Sequence, residues 1–402
     1  MEIKMQTKYR RDIYLLAAIR SIRSFSFGYI AFILPLYLKF IGFSTEQVGL
    51  YALFATISSS ILVLLSGYLG DLYSRKKTLI IMSFLPALAY IILISSHHNI
   101  AMAFVSSIFG LSLSPMGGGA GGGPVSPLQT AMIASRTEKE ERTKIYSYLS
   151  TLAIIMAMFG GFSSSYIIKA FPKSYYFDLF EIAIILSLSS IILLIPLYET
   201  PDKFSLNKKD FLPKKSAENI SKIALAGLFG SLGLGIVLPI LPIYFKYIGA
   251  NAFTISIIYD VSYIATAIMI LFSSKFQQIF GYVKGILILR SAGSLPLFLI
   301  PLIHSIIIVG AIYILRTAFY QAALPIRQNI SMELYAPEER SRGSSITGIA
   351  RRVPYGISTT IGSILFQIGM YFIAFFAASI ISFLDPLLYY MFFKKFDTQN
   401  KN

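Results

Sequence analysis

The sequence predicts an all-α membrane protein of twelve transmembrane helices, arranged as two pseudo-symmetric six-helix bundles. Three observations lead to this prediction: the composition, the length of the apolar segments and the alternation of basic loops. Of 402 residues, 55% are hydrophobic and only 13% are charged, which is about half the charged fraction of a soluble domain. So few charges cannot cover a soluble surface of this size, which excludes an ordinary soluble enzyme.

Apolar segments long enough to cross a bilayer recur along the chain, and each crossing needs about 20 apolar residues. We predict spans at about 13–41, 45–70, 77–97, 100–135, 143–169, 177–198, 219–248, 252–280, 283–304, 306–333, 341–368 and 370–395. The polar stretch 199–218 separates the first six from the last six. It predicts an N-terminal bundle over 1–198, a linker over 199–218 and a C-terminal bundle over 219–402.

Basic residues fall mainly in alternate loops, before span 1 and after spans 2, 4 and 6. The positive-inside rule then places both termini and the linker in the cytoplasm, with the spans in the cytoplasmic membrane. Topology and contact with the lipid bilayer therefore account for the net charge of +16, and we expect no nucleic-acid partner. The chain has no cysteine, and its three histidines lack metal-ligand spacing, so we expect no metal and no cofactor.

The two halves repeat each other in sequence. PLYLKFIG at 35–42 and PIYFKYIG at 242–249 share five of eight residues at an offset of 207, which also aligns Gly28 with Gly235. A second match joins EER at 140–142 to EER at 338–340. Repeated halves of six spans are typical of transporters that rock about a central site.

The loop between spans 2 and 3 carries a recognisable motif, GYLGDLYSRKK at 67–77. It resembles the signature loop of the major facilitator superfamily, G-x-L-x-D-R-x-G-R-K/R, although Leu72 and Ser74 depart from the pattern. Together with the spans, linker and repeat, the chain resembles this superfamily in its prokaryotic twelve-helix form over essentially its whole length. The resemblance implies a loop that latches the outward-facing state, formed by Gly67, Asp71, Arg75 and Lys76.

Charged residues inside spans are costly and are therefore functional candidates. The predicted substrate-binding set comprises Arg20, Arg23, Arg316, Arg351, Arg352, Tyr259, Tyr263 and two glycines of the glycine run in span 4, Gly118 and Gly119. Arg351 and Arg352 point about 100° apart on a helix, so at most one is expected to face the cavity. Asp260 is the candidate coupling residue, either as a proton carrier or as a counter-ion to Arg316.

Two further charges are expected to have structural roles. Arg290 is predicted to snorkel to the lipid headgroups, and Asp385 is predicted to pair between helices near the cytoplasmic end.

Positive charge inside the spans exceeds negative charge. We therefore predict a secondary active transporter, not an enzyme, that moves a small organic or inorganic anion by alternating access through a central arginine-lined cavity. Proton-coupled efflux of drugs or other amphipathic compounds, transport of sugars or nucleosides, and a transport-dead receptor remain alternatives. The sequence predicts a monomer with protons or sodium as coupling ion, and leaves the direction of transport open.

Overall fold

The computed structural model describes residues 10–72, 74–96, 99–111, 123–134, 136, 142–198, 213–336 and 339–399. The α-helices in this part of the chain are α1 (Arg10–Phe40), α2 (Thr45–Leu72), α3 (Arg75–Ser95), α4 (Ile100–Val105), α5 (Ser126–Ala134), α6 (Arg142–Ala170), α7 (Tyr175–Ile192), α8 (Ala217–Val237), α9 (Leu241–Tyr247), α10 (Ala252–Leu271), α11 (Ser273–Phe280), α12 (Tyr282–Ser294), α13 (Ile306–Leu334), α14 (Arg340–Gln367) and α15 (Tyr371–Gln399). Two 3-10 helices, Ser106–Phe109 and Leu295–Leu302, follow α4 and α12. The predicted all-α membrane fold is confirmed.

Ten helical segments of the described chain are long and apolar enough to cross a membrane. They correspond to the predicted spans other than the fourth and the eleventh. The predicted fourth span runs through 112–122, which lie outside the described residues. The eleventh is present as the 28-residue helix α14. Its arginines, serines and threonines make it too polar to be counted among the ten membrane-spanning candidates.

Proline interrupts two spans that we predicted to be continuous. The seventh is divided into α8 and α9, with Pro239 in the break and Pro242 in the first turn of α9. The ninth changes from α12 to a 3-10 helix that contains Pro296 and Pro301. Proline lacks an amide hydrogen and clashes with the preceding turn, which ends or tightens a helix.

The chain forms two compact units. Unit 1 comprises residues 1–43 and 54–205, and unit 2 comprises 44–53 and 206–402, so that α2 contributes to both. In unit 1, α1 packs against α6 and α7, and α3 packs against α7. In unit 2, α8 packs against α14 and α15, while α13 packs against α10 and α12.

The repeated octapeptides end in the same turn. The Gly42 amide donates to the Lys39 carbonyl at 3.2 Å, and the Gly249 amide donates to the Lys246 carbonyl at 3.1 Å. The two glycines have φ angles of +105° and +97°, in the left-handed region that glycine adopts without steric penalty. The sequence repeat therefore corresponds to a repeat of backbone conformation.

Each octapeptide also carries a tyrosine that packs on two aromatic rings of the last helix in its half. The centroid distances are 5.6 and 4.9 Å from Tyr37 to Tyr176 and Phe180, and 5.7 and 4.9 Å from Tyr244 to Tyr371 and Phe375. These tilted and edge-on arrangements are favourable for aromatic pairs.

Gly28 and Gly235, which the repeat aligns, both lie at close helix crossings. A Cβ atom on Gly28 would lie 2.0 Å from the Ala157 carbonyl oxygen of α6. A Cβ atom on Gly235 would lie 2.1 Å from Ser358 Oγ and 2.4 Å from the Tyr355 carbonyl oxygen, both on α14. Only glycine permits these approaches, which hold α1 on α6 and α8 on α14.

Candidate functional site

Arg316 of α13 is buried in unit 2, with 1% of its surface exposed. Its Nε donates to the Gly293 carbonyl of α12 at 2.6 Å. Neither Nη1 nor Nη2 has a hydrogen-bond partner among the described residues. The side chain is therefore a buried cation with two unused donor groups.

Tyrosines surround this guanidinium. Tyr313, Tyr320 and Tyr355 interact with it electrostatically, and the Tyr259 ring of α10 lies 5.2 Å from that of Tyr313. The predicted binding residue Tyr259 therefore packs against one of the tyrosines beside Arg316. Protonated phenol groups carry no negative charge, so these tyrosines do not balance the charge of Arg316.

Asp260 and Tyr263 lie on α10 beside this region. Asp260 is fully buried and Tyr263 is half-buried. The carboxylate and the guanidinium lie in the same unit. The two alternatives for Asp260, a proton carrier or a counter-ion to Arg316, both stay predictions.

A second cluster of buried charges centres on Asp385 of α15. Its Oδ2 accepts hydrogen bonds from Nη1 of Arg290 and, at 3.0 Å, from Nη1 of Arg327. All three residues are at most 4% exposed. The expectation that Arg290 snorkels to headgroups is wrong, because its guanidinium is buried and pairs with Asp385 inside the protein. The expected inter-helix pairing of Asp385 is present.

One aromatic ring joins the two groups of arginines. The Arg290 Cζ lies 4.2 Å from the Tyr320 ring centroid and the Arg316 Cζ lies 5.5 Å from it. Arg290 Nη1 also donates to the Tyr320 hydroxyl at 2.9 Å. Cations near an aromatic ring are attracted by its electrons, so Tyr320 lies next to both positive charges.

Arg327 is the residue that the sequence analysis missed. It follows Arg316 by eleven residues on α13, a spacing that returns to nearly the same face after three helical turns. Tyr320, four residues after Arg316, lies on that face as well. The helical spacing of these three residues is the signal that would have identified Arg327.

The adjacent arginines of α14 differ in their surroundings, although both are half-buried. Arg351 packs against α8, where a Cβ atom on Gly227 would lie 2.9 Å from its Cδ. It interacts electrostatically with Arg327, Arg290 and Asp385, whereas Arg352 has no such partner among the described residues. Arg351 therefore belongs with the Asp385 cluster.

Unit 1 contains the other two predicted arginines, Arg20 and Arg23, half-buried on α1. They interact with each other, and Arg23 also interacts with Tyr90 of α3. A Cβ atom on Gly123 would lie 4.0 Å from Arg23 Nη2. Gly118 and Gly119 lie outside the described residues, so their predicted place opposite an arginine stays a prediction.

The motif loop connects α2 to α3, and Arg75 and Lys76 are half-buried in the first turn of α3. Lys76 Nζ donates to the Ile195 carbonyl at 2.8 Å, just after α7. Gly67 and Asp71 lie in the last turns of α2, with side-chain positions outside the described set. A Cβ atom on the neighbouring Gly70 would lie 2.3 Å from Leu128 Cδ2.

Fixed charges hold the chain on both sides of the linker. In unit 1, Arg136 Nε donates to Asp12 Oδ2 at 2.9 Å, and its Nη2 donates to the Tyr198 carbonyl at 2.6 Å. In unit 2, the Glu339 carboxylate accepts from the amides of residues 214, 215 and 216 at 2.8, 3.0 and 2.7 Å. Burial raises the pKa of Glu339, but these amides outweigh it and lower the pKa from 4.5 to about 2. Neither anchor was predicted.

The comparisons with known proteins identify the family. The family model described as Major Facilitator Superfamily matches residues 16–221 and 223–402. The chain belongs to this superfamily, which confirms the resemblance inferred from the motif loop and the repeat. It is a multi-pass membrane transporter. Comparison with curated protein sequences gives no match.

Solved structures with the same fold carry names that refer to different solutes. An autoinhibited peptide transporter of the POT family has 11% identity and a TM-score of 0.73, covering 96% of this chain and 97% of its own. A bacterial homologue of the iron transporter ferroportin has 13% identity and a TM-score of 0.72, covering 96% and 98%. A nucleoside transporter has 12% identity and a TM-score of 0.71, covering 95% and 99%. At these identities the likeness establishes the fold and leaves the substrate undetermined.

Proposed function

We propose that this protein is a secondary active transporter that moves a small anion by alternating access, and that Arg316 binds the anionic group. One observation carries the proposal: the Arg316 guanidinium is buried, and both of its terminal amino groups lack a partner in the described residues. Arginine stays charged in proteins, and an uncompensated buried charge costs several kcal/mol. A ligand carboxylate or phosphate that accepts from both amino groups would supply the missing charge.

The surroundings of Arg316 favour a substrate with one compact anionic group. The Arg316 Nε is already fixed by Gly293, so the two terminal amino groups act as one fork with a set orientation. The neighbouring Arg290 and Arg327 each donate one hydrogen bond to Asp385, so they form a separate charged cluster. The remaining neighbours are tyrosines, whose rings and hydroxyls suit the uncharged remainder of a small organic anion.

Ligand-induced stabilisation tests this proposal. The purified protein would be heated with carboxylates, phosphate esters, sugars, nucleosides and lipophilic cations. A bound ligand at 100 times its Kd stabilises by about 2.7 kcal/mol, which is visible as a rise in Tm. We expect anions alone to raise the Tm, the rise to vanish in Arg316→Gln, and the rise to persist in Arg10→Gln, which removes an exposed arginine.

The same panel identifies the alternatives. A rise with lipophilic cations that persists in Arg316→Gln would replace the anion proposal with drug efflux. A rise with sugars or nucleosides alone would assign the protein to those substrates. Uptake of the stabilising compound into proteoliposomes then separates a transporter from a receptor.

Asp260 is our proposed coupling residue, with protons or sodium as the coupling ion. It is fully buried on the membrane-spanning helix α10, and ionisable residues inside a span mark ion pathways or proton relays. We expect Asp260→Asn to abolish accumulation driven by a proton or sodium gradient while exchange of substrate down its own gradient continues. Gradient-driven accumulation by Asp260→Asn would exclude this role.

Alternating access is supported by the division of α2, whose first residues belong to unit 2. The Thr45 amide donates to Gln367 Oε1 at 2.9 Å, and a Cβ atom on Gly49 would lie 2.4 Å from Ser363 Cβ. In alternating access this segment separates from α14 and returns in each cycle. A disulfide needs Cβ atoms about 3.5–4.5 Å apart, and residues 49 and 363 are too close to provide this. Since the chain has no cysteine, Thr45→Cys with Gln367→Cys would instead place a single pair of thiols across this contact for oxidative cross-linking.

We expect oxidation of this double variant to stop transport and reduction to restore it, whereas each single variant responds to neither treatment. Full transport by completely cross-linked protein would show that α2 and α14 stay together during the cycle.

We propose that the protein lies in the cytoplasmic membrane, with its linker and both termini on the cytoplasmic side. Labelling of cysteines placed at residues 199–212 would test the location of the linker. Light scattering of the same samples would test the expected monomer.

A further inference from the structure

The Asp385 cluster contains more positive charge than its one carboxylate can balance. Arg290 and Arg327 both donate to Oδ2, and Oδ1 has no partner among the described residues. Arg351 adds a third positive charge that interacts with all three residues. Because arginine does not lose its proton in proteins, the excess charge needs a partner that the described side chains do not provide.

Two donor groups of this cluster have unused hydrogen-bonding capacity, Arg290 Nε and Arg327 Nη2. Arg290 Nε is buried and has no partner in the described residues. Arg327 Nη2 has only a long contact of 3.5 Å to the Ile223 carbonyl, and its Cζ lies 5.3 Å from the Tyr389 ring centroid. A ligand that completes this arrangement must accept hydrogen bonds and carry negative charge.

The neighbouring helix restricts the size of this ligand. A Cβ atom on Gly227 would lie 3.0 Å from Arg327 Nη2, and one on Gly230 would lie 2.8 Å from Asp385 Oδ2. The α8 backbone therefore comes close to the charged groups. Such a site suits a small ion better than an organic anion.

We propose that Arg290, Arg327 and Arg351 bind a small inorganic anion of the halide type next to Asp385. This site differs from the substrate site proposed at Arg316, which binds through other donor atoms. The ion balances the excess charge where α8, α12, α13, α14 and α15 meet. It therefore stabilises unit 2 whether or not substrate is present.

Thermal unfolding in chloride and in gluconate, at equal ionic strength, tests the proposal. Gluconate carries the same charge on a much larger molecule, and because its carboxylate could bind at Arg316, the two salts are compared in both the wild type and Arg316→Gln. We expect chloride to raise the Tm saturably by about 3–5 °C, and Arg327→Gln to lose this rise. Arg316→Gln should keep it, which separates this proposal from the one on substrate.

Since Arg327→Gln removes a buried partner of Asp385, two further experiments keep the test decisive. Asp385→Asn removes the competing carboxylate and should lower the chloride concentration at half-saturation several-fold. Crystals grown in bromide should show an anomalous peak beside Arg327. Equal Tm values in chloride and gluconate for the wild type, or a chloride response that Asp385→Asn leaves unchanged together with no bromide peak, would overturn the proposal.

Discussion

The two units share a frame of helix packing but differ in their buried charges. In both, a Pro-x-Tyr segment ends in a glycine with positive φ, its tyrosine packs on two aromatic rings, and a glycine admits a neighbouring helix. The buried ion pair described in unit 1 joins Asp12 and Arg136 next to the linker. Unit 2 instead contains Arg290, Arg327 and Asp385 together with Arg316.

This difference separates features that build the fold from features that serve function. A helix crossing or a turn makes the same steric demand in each half, so the same residues satisfy it twice. Ligand binding makes no such demand for symmetry. The buried arginines that lack a counterpart in the other unit are therefore the residues that we connect with ligands.

The largest expected effect concerns the buried ion pairs. Asp385→Ala leaves Arg290 and Arg327 buried without a carboxylate, and breaking such a pair costs about 3–5 kcal/mol. Asp12→Ala should cost less, because Arg136 keeps hydrogen bonds to the Met132 and Tyr198 carbonyls. Thermal unfolding in detergent measures both variants, and a larger loss for Asp12→Ala would reverse the ranking of the two units.

The shared frame predicts equal effects at its matched glycines. Gly28→Ala and Gly235→Ala each force a methyl group into the facing helix, at a cost of about 1–3 kcal/mol for overpacking. Gly348→Ala is the matched control, because its Cβ would meet nothing within 4 Å. Similar losses of Tm at the two matched positions, with none at Gly348, would support the repeat. A loss of Tm at only one of the two positions would show that the repeat in sequence does not extend to helix packing.

The frame was predictable because its signals are local in sequence. Residues 35–42 and 242–249 match in sequence, and both segments end in the same turn. Pro239 and Pro296 can be read from the sequence, but each lies within a long apolar segment, and such a segment predicts a single continuous span. Whether a proline kinks or ends a transmembrane helix depends on neighbours that restore the lost hydrogen bonds.

The charge cluster was harder to predict because it depends on which helix faces meet. Arg290 fits the pattern of a snorkelling arginine, and only the position of Asp385, 95 residues later, shows that it is paired. Arg327 lies towards the end of its predicted span, and nothing local in the sequence shows that it pairs with Asp385. Arg316 was identified because a mid-span arginine has no easy route to the headgroups.

The linker anchors offer a pH test of unit 2. Because the folded pKa of Glu339 is about 2 and its ordinary value is 4.5, the ionised carboxylate stabilises the folded state above pH 4.5. This stabilisation is lost as the pH falls from 4.5 towards 2. We expect the Tm difference between wild type and Glu339→Gln to shrink over that interval. A difference that is constant with pH would show that Glu339 acts through packing alone.

The smallest expected effect distinguishes the two tyrosines of the frame. Their rings have nearly the same neighbours, but the Tyr37 hydroxyl donates to the Leu93 carbonyl at 2.9 Å, while the described residues give the Tyr244 hydroxyl no such bond. Tyr37→Phe should therefore cost about 1 kcal/mol, and Tyr244→Phe close to nothing. Tyr37→Leu and Tyr244→Leu, which remove the rings, should destabilise both units alike. If the two Phe variants unfold at the same temperature, the hydroxyl contributes nothing and the frame is symmetric in energy as well as geometry.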